Sequence, residues 1–416
     1  MKSIVGKYIN DRNAYLMQEE PMIFHCHHYN CFLQKSIEST SEYINVQRIL
    51  VDSAQEVSYS IFRSFFDTNE LNAADKIAAI AELHRYCGYG TLDLSGANEN
   101  GGEVSSNSNH YVEGWLTKFG KRNEDESGVA LFTAGFIAGA LDAAYDQELG
   151  TFGAEQISCK TKGDSENIFK ITLEHKKGLK PSPQEGTYQT KTMTNHPDSG
   201  VDYLGIREAL TSMDIVGNEE GLISAFGVML TRMFSNYYVL ISFKFLNKMN
   251  EEMGEDGVQI AEELLIEAGH ICAFNTFGGI MESAEWNGMI KPMLKTREDW
   301  VHGIVACCNT LGWGHYEVKE LIPNKKLVLE VTSGYENNAF TKTFGKSERP
   351  ISFLNIGGGA GIMNLIYHGD ITEAPELNEK YYNDLFKTKG RFVGKQISCR
   401  SMGDSSDLIS VERIDE

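Results

Sequence analysis

The chain has 416 residues, 41% of them hydrophobic, with 38 basic against 58 acidic side chains and a formal net charge of −20. The length allows two or three ordinary domains with cores of their own. The charge argues against nucleic acid and anionic membrane surfaces as partners, because both require a basic footprint.

The N-terminus, Met1-Lys-Ser-Ile-Val-Gly-Lys, lacks the apolar run of a signal peptide, and no stretch reaches the roughly 18 apolar residues of a membrane helix. Eight scattered cysteines form no Cys-x-x-Cys pair, so a cytoplasmic protein with free thiols is expected.

In chain order, the first informative segment is His25-Cys26-His27-His28-Tyr29-Asn30-Cys31, which holds three of the eleven histidines. Read as a helix, it places His25 and His28 (i, i+3) on one face, and His27 and Cys31 (i, i+4) on one face. Imidazole and thiolate ligate zinc, copper and iron, haem iron included. His25, His28 and Cys31 are therefore candidate metal ligands, for iron, haem or zinc. His27, His28 and Tyr29 are candidate catalytic residues. An ordinary helix carrying ordinary histidines is the alternative.

A helix over 46–57 follows, with Glu56 a candidate further ligand. His84-Arg-Tyr86-Cys-Gly88-Tyr89-Gly90 then reads as a helix end, a small–aromatic–small turn and a strand. In Ala130-Leu-Phe-Thr-Ala-Gly135-Phe-Ile-Ala-Gly139, the glycines share one helix face and let a neighbour approach closely. A phosphate-binding loop is disfavoured, because no Lys-Ser/Thr follows.

Phe152-Gly-Ala-Glu-Gln-Ile-Ser-Cys159-Lys-Thr-Lys-Gly163-Asp-Ser165 reads as a strand ending in a turn, which Asp164 and Ser165 shape through side-chain to backbone bonds. This block returns as Phe392-Val-Gly-Lys-Gln-Ile-Ser-Cys399-Arg-Ser-Met-Gly403-Asp-Ser405 (399 − 159 = 403 − 163 = 240). A match this dense implies two copies of one unit. Residues 1–177 are assigned to the first copy with a helical N-terminal extension, 178–215 to a Pro- and Thr-rich connection, and 216–416 to the second copy.

Upstream, Thr310-Leu-Gly312-Trp313-Gly314-His-Tyr316 answers 84–90, and Ser352-Phe-Leu-Asn-Ile-Gly357-Gly-Gly-Ala-Gly361 answers 130–139. Tyr86, Tyr89, Trp313 and Tyr316 are candidate ligand-binding residues, or core. The histidine segment has no counterpart, since the second copy carries Asn236, Tyr237 and Tyr238 there. Glu263, Glu267 and His270 form a carboxylate–histidine stripe or a solvated face. Cys307 and Cys308 read as packing thiols.

The order of helix, Gly-aromatic-Gly, hairpin, Phe-x-Ala-Gly helix, Ser-Cys-x-x-x-Gly-Asp and closing strand resembles the 4-vinyl reductase domain, also called the hydrocarbon-binding domain. That domain occurs in a bacteriochlorophyll-biosynthesis protein, in archaeal hydrocarbon-binding proteins and in the sensor half of phenol- and xylene-responsive activators. The resemblance covers about 46–170 and 258–412. It implies an α+β fold like the TRAPP vesicle-transport subunits, in two tandem copies of a helical part plus an antiparallel sheet related by a pseudo-two-fold axis. It also implies a small, largely apolar ligand in an enclosed pocket. Some members hold a structural zinc, but the family's metal cysteines fall on Ala130 and Asn167 in one copy and on Ser352 and Asp407 in the other. Only Cys159 and Cys399 remain, and one thiolate cannot build a site of about four ligands.

Two functions follow as expectations. One is a sensor or carrier that binds a small, apolar or aromatic molecule. The other is a metal- or haem-dependent enzyme working through His25–Cys31. A nicotinamide-dependent reductase fits less well without a dinucleotide fingerprint. The expected partner is a small molecule, with homodimerisation left open.

Overall fold

The computed structural model of the chain describes residue 4 and residues 6–183 and 191–414. Residues 184–190, inside the expected connection, lie outside the described residues. The architecture is α+β with antiparallel sheets. Strands β1 (Lys7–Ile9), β2 (Ala14–Met17) and β3 (Glu20–Cys26) lead into helices α1 (His27–Glu38), α2 (Val46–Thr68) and α3 (Ala73–Tyr86). Strands β4 (Ala97–Asn98) and β5 (Gly101–Ser106), helices α4 (His110–Phe119) and α5 (Leu131–Ala144), and strands β6 (Phe152–Ser158) and β7 (Asn167–Leu173) complete the first part.

After α6 (Tyr203–Ser212), the second part follows a similar order, with one strand fewer at its start and two further helices. It comprises β8 (Ile223–Ala225), β9 (Val228–Phe234), α7 (Ser235–Met253), α8 (Glu255–Cys272), the short α9 (Gly278–Glu282) and α10 (Arg297–Thr310). It ends with β10 (Tyr316–Ile322), β11 (Lys326–Val331), α11 (Tyr335–Phe344), α12 (Phe353–Met363), α13 (Glu379–Phe386), β12 (Phe392–Ser398) and β13 (Asp407–Arg413). The two four-stranded sheets have equivalent orders, β4-β5-β7-β6 and β10-β11-β13-β12.

The repeated block is a set of hydrogen bonds. In both copies the strand bulges at the isoleucine, between Gln156 and Ser158 and between Gln396 and Ser398. A bulge re-aims neighbouring side chains. Ile157 and Ile397 are left exposed, while the glutamine turns to the start of the glycine helix. Gln156 Oε1 accepts from the Ala130 N–H at 2.9 Å, and Gln396 Oε1 accepts from the N–H groups of Ile351 and Ser352 at 3.0 Å each. Donors there have no partner inside the helix. The turn closes alike, with the N–H groups of Cys159 and Cys399 donating to Asp164 and Asp404, both at 2.7 Å. Gly163 and Gly403 take φ of 98° and 111°, where a side chain is strained.

Glycines set the helix spacing as their pattern predicts. A Cβ on Gly139 would lie 2.2 Å from the Gln55 carbonyl oxygen of α2, and one on Gly357 would lie 2.4 Å from the Ile266 carbonyl oxygen of α8. The contacts correct the pairing of Val46 with Val258. Gly135 meets Val51 and Ala54 where Gly357 meets Ile266 and Gly269, a step of 215 (266 − 51 = 269 − 54), three residues from the step of 212 implied by the sequence match.

The two parts of the chain interlock through a third sheet of order β1-β2-β3-β9-β8. At its centre Phe24 faces Arg232, flanked by Met22–Phe234 and Cys26–Leu230. These pairs exchange under one step (232 − 24 = 234 − 26 = 230 − 22 = 208), so the register is locally two-fold. Each strand also docks on the other copy's small–aromatic–small turn. The Phe24 N–H donates to the Leu311 carbonyl at 3.0 Å and the Trp313 indole donates to the Phe24 carbonyl at 3.1 Å. Reciprocally, the Arg232 N–H donates to the Cys87 carbonyl at 2.8 Å and the Tyr89 hydroxyl donates to the Arg232 carbonyl at 2.7 Å.

One helical run, Glu255–Glu282, is long and apolar enough to cross a membrane by length and composition, which departs from the sequence expectation. In the fold 67% of its spanning window is buried, and α8 packs between α7 and α12. A core helix satisfies the same pattern.

Candidate functional site

The His25–Cys31 segment does not form one helix. Strand β3 runs to Cys26 and α1 begins at His27, so His25 belongs to the sheet and the i, i+3 relation with His28 is lost. The strand is buried at all seven residues, lying between β2 and β9 with α1 and α7 packed against it and the Leu311–Trp313 turn docked at Phe24. Its sequence therefore shows no polar alternation to mark it as a strand.

His25 points inward. Its ring stacks on Tyr29 at 4.3 Å and lies 4.8 Å from Trp313 and 5.0 Å from Tyr238. Nδ1 is 3.3 Å from Cys272 Sγ, Nε2 has no hydrogen-bond partner, and burial pushes the pKa down to about 3. The imidazole is neutral at physiological pH. Beside this cluster Tyr29, Tyr238, Tyr335 and Glu336 border a cavity of about 10 Å³, room for one water at most. The expected enclosed pocket is filled here by aromatic side chains.

His27 is buried against α4, and His28 is half-buried beside it. His27 Nδ1 bonds the Met229 carbonyl at 3.3 Å, and the two rings lie 3.9 Å apart. His28 Nδ1 accepts from Lys118 Nζ at 3.5 Å. Burial holds the His27 pKa at about 4, against the Met229 hydrogen bond; burial, and then His27 and Lys118, hold that of His28 at about 2. Cys31 shares the His27 face, as the i, i+4 relation predicts. Both side chains press on Gly114 of α4, and Cys31 Sγ is 3.8 Å from the Tyr111 carbonyl.

The proposed metal trio is thus not assembled: His25 is in the core, His28 stands beside an ammonium group, and Cys31 packs on α4. Among the described residues no group of three His, Cys, Asp or Glu side chains is placed to hold a metal ion. The donor set fits neither zinc nor a haem iron at this segment. Glu56 pairs with Lys244, and His270 packs on Phe386 at 5.0 Å, so neither supplies a ligand. In the repeated block, Cys159 Sγ lies 3.0 Å from Thr161 Oγ1 and Cys399 Sγ lies 3.4 Å from Asn337 Oδ1, each with one thiol to offer.

The four candidate ligand-binding aromatics do not share a pocket. Tyr89 and Trp313 are the docking residues of the interlock. Tyr86 bonds Tyr15 at 2.9 Å, with the Arg232 guanidinium 5.4 Å from its ring. The Tyr316 hydroxyl donates to Asn355 inside the second copy, and the residue borders a polar cleft of about 290 Å³ beside His196 and His315.

Space for a small molecule opens instead where the outward face of α1 meets the second copy. A cleft of about 520 Å³ runs between α1 and α4 on one side and α8 and α13 on the other. Phe32, Phe119, Ile271, Phe274 and Tyr382 form its apolar walls. His28, Lys35, Lys118 and Lys387 contribute nitrogen groups, and Glu267 and Glu379 contribute carboxylates. Lys35 Nζ sits 4.0 Å over the Phe119 ring.

Of these residues the sequence reading had singled out His28 and Glu267. The sequence does carry a signal for this cleft. From the glycine helix to the repeated block the second copy is 18 residues longer (240 − 222), and α13 lies in that surplus.

No family model matches the chain, and no curated protein matches it. Among solved structures it is similar to the phenol-responsive sensory domain of the transcription activator PoxR with phenol. The identity is 11% and the TM-score 0.36, over 50% of this chain and 90% of that one.

Proposed function

We propose that this chain is a duplicated protein of the 4-vinyl reductase type that binds one small molecule with an apolar or aromatic body, as a sensor or carrier, in the cleft between its copies. The observation that carries the reading is the cleft itself. Its volume of about 520 Å³ lies within the usual range of small-molecule sites, and both copies contribute aromatic faces and charged groups to its walls. The repeated hydrogen-bonded block and the matching sheet orders support the duplication. The eight cysteines are all free and buried, which supports a reducing, cytoplasmic setting.

Calorimetric titration with naphthalene-sized probes, 2-naphthylmethanol and 2-naphthoate, tests the reading. At least one should bind saturably at one site per chain. Phe274→Ala should weaken it by about tenfold, the value of one buried aromatic contact. Absence of saturable binding by both probes, or full binding in a folded Phe274→Ala variant, overturns it.

A further inference from the structure

We infer that the cleft selects a monoanionic amphipath, an aryl or alkyl carboxylate, with Lys118 as the counter-ion of its head group. This rests on the reading of the cleft as a ligand site and adds the chemistry of the ligand.

Lys118, in the last turn of α4, lines the cleft and is largely shielded from water. Among the described residues its ammonium reaches the Nδ1 of neutral His28 at 3.5 Å and the Phe119 ring at 5.6 Å, and it has no carboxylate at ion-pair distance. Burial, as the larger effect, holds its pKa below the ordinary lysine value. A shielded charge without a partner is costly unless something pairs with it. His28 cannot supply a charge, and its acceptor nitrogen satisfies one of the three ammonium protons.

The other charges in the cleft do not fill this role. Lys35 lies over the Phe119 face and Lys387 lies 5.7 Å from the Tyr382 ring. Glu379, at the start of α13, reaches Lys118 only as a field, and Glu267 on α8 lines the same cleft. Three ammonium groups against two carboxylates leave the site cationic on a chain whose net charge is −20. The cleft supplies one shielded lysine, no arginine fork, and aromatic faces on both sides. That suits a carboxylate with an apolar body. A phosphate would call for more donors.

Matched pairs read this directly: 2-naphthoate against 2-naphthylmethanol, and decanoate against decanol, titrated at low salt into wild type, Lys118→Met and Lys118→Arg. In wild type each carboxylate should bind at least about tenfold more tightly than its alcohol, as a charge-assisted hydrogen bond provides. Lys118→Met should erase that preference while leaving alcohol affinity within about twofold. Lys118→Arg should keep most of it. Thermal unfolding of each variant verifies the fold. Alcohols that bind as tightly as carboxylates, or a preference that survives Lys118→Met, sink this inference and leave the binding site standing. Failure of all four probes removes the site as well.

Discussion

At the end of its glycine helix the first copy carries Asp142, and the second carries Asn364. Asp142 Oδ1 accepts from the Phe152 N–H at 2.8 Å, and Asn364 Oδ1 accepts from the Phe392 N–H at 2.8 Å. At the start of the closing strand the assignment reverses. Asn167 accepts from the Lys160 N–H at 3.1 Å, and Asp407 accepts from the Arg400 N–H at 2.8 Å. The scaffold requires an oxygen at each place and is indifferent to whether an amide or an acid bears it. The second copy adds Glu336, where the first has Tyr111, and its carboxylate accepts from the N–H groups of Leu354 and Asn355 at 3.0 and 3.3 Å. One architecture therefore holds two different sets of buried protons.

The comparison breaks first at the interlock. Trp313→Ala removes a buried ring and the bond to the Phe24 carbonyl, and should cost about 4 kcal/mol in chemical denaturation. A loss below about 1 kcal/mol would mean that the turn does not pin the strand.

The buried acids sharpen it next. Desolvation raises Glu336 to about 8 and Asp407 to about 7, above their ordinary carboxylate values. The folded state thus holds protons that the unfolded chain releases. This stability is complete below the ordinary carboxylate range and is lost as pH rises through about 7 and 8. Asp407→Asn, which installs the first copy's residue, should flatten the pH 5–8.5 stability profile and gain roughly 2 kcal/mol at pH 8.5. An unchanged profile would show that Asp407 does not hold this proton.

The smallest effect is expected from Tyr89→Phe, which keeps the ring and loses the hydroxyl bond to the Arg232 carbonyl, at about 1 kcal/mol. A cost equal to that of Trp313→Ala would mean that the reciprocal bonds, rather than the ring, carry the interlock.

Much of the fold could be read because its determinants are local. The bulged glutamine strand, the Gly-Asp turn and the glycine spacing each act within a few residues or on one helix face. The α+β class and the hairpins followed from them. His25 was misplaced because Pro21-Met-Ile-Phe-His-Cys26 is buried on every side, so no alternation separates strand from helix. The pairing of β3 with β9 has no local mark at all. The cleft escaped for a related reason: its walls come from α1, α4, α8 and α13, and only the fold brings Lys118 near Phe274 and Tyr382.

The central sheet also has a consequence for how the polypeptide is made. Strand β3 emerges early in synthesis, but β9, its hydrogen-bonding neighbour, lies 208 positions later at the paired Phe24 and Arg232. Until that strand leaves the ribosome, the nascent front half presents an unpaired apolar edge, a template for aggregation. Such distant pairing also slows productive folding. An attempt to express residues 1–177 alone would leave that edge uncovered permanently.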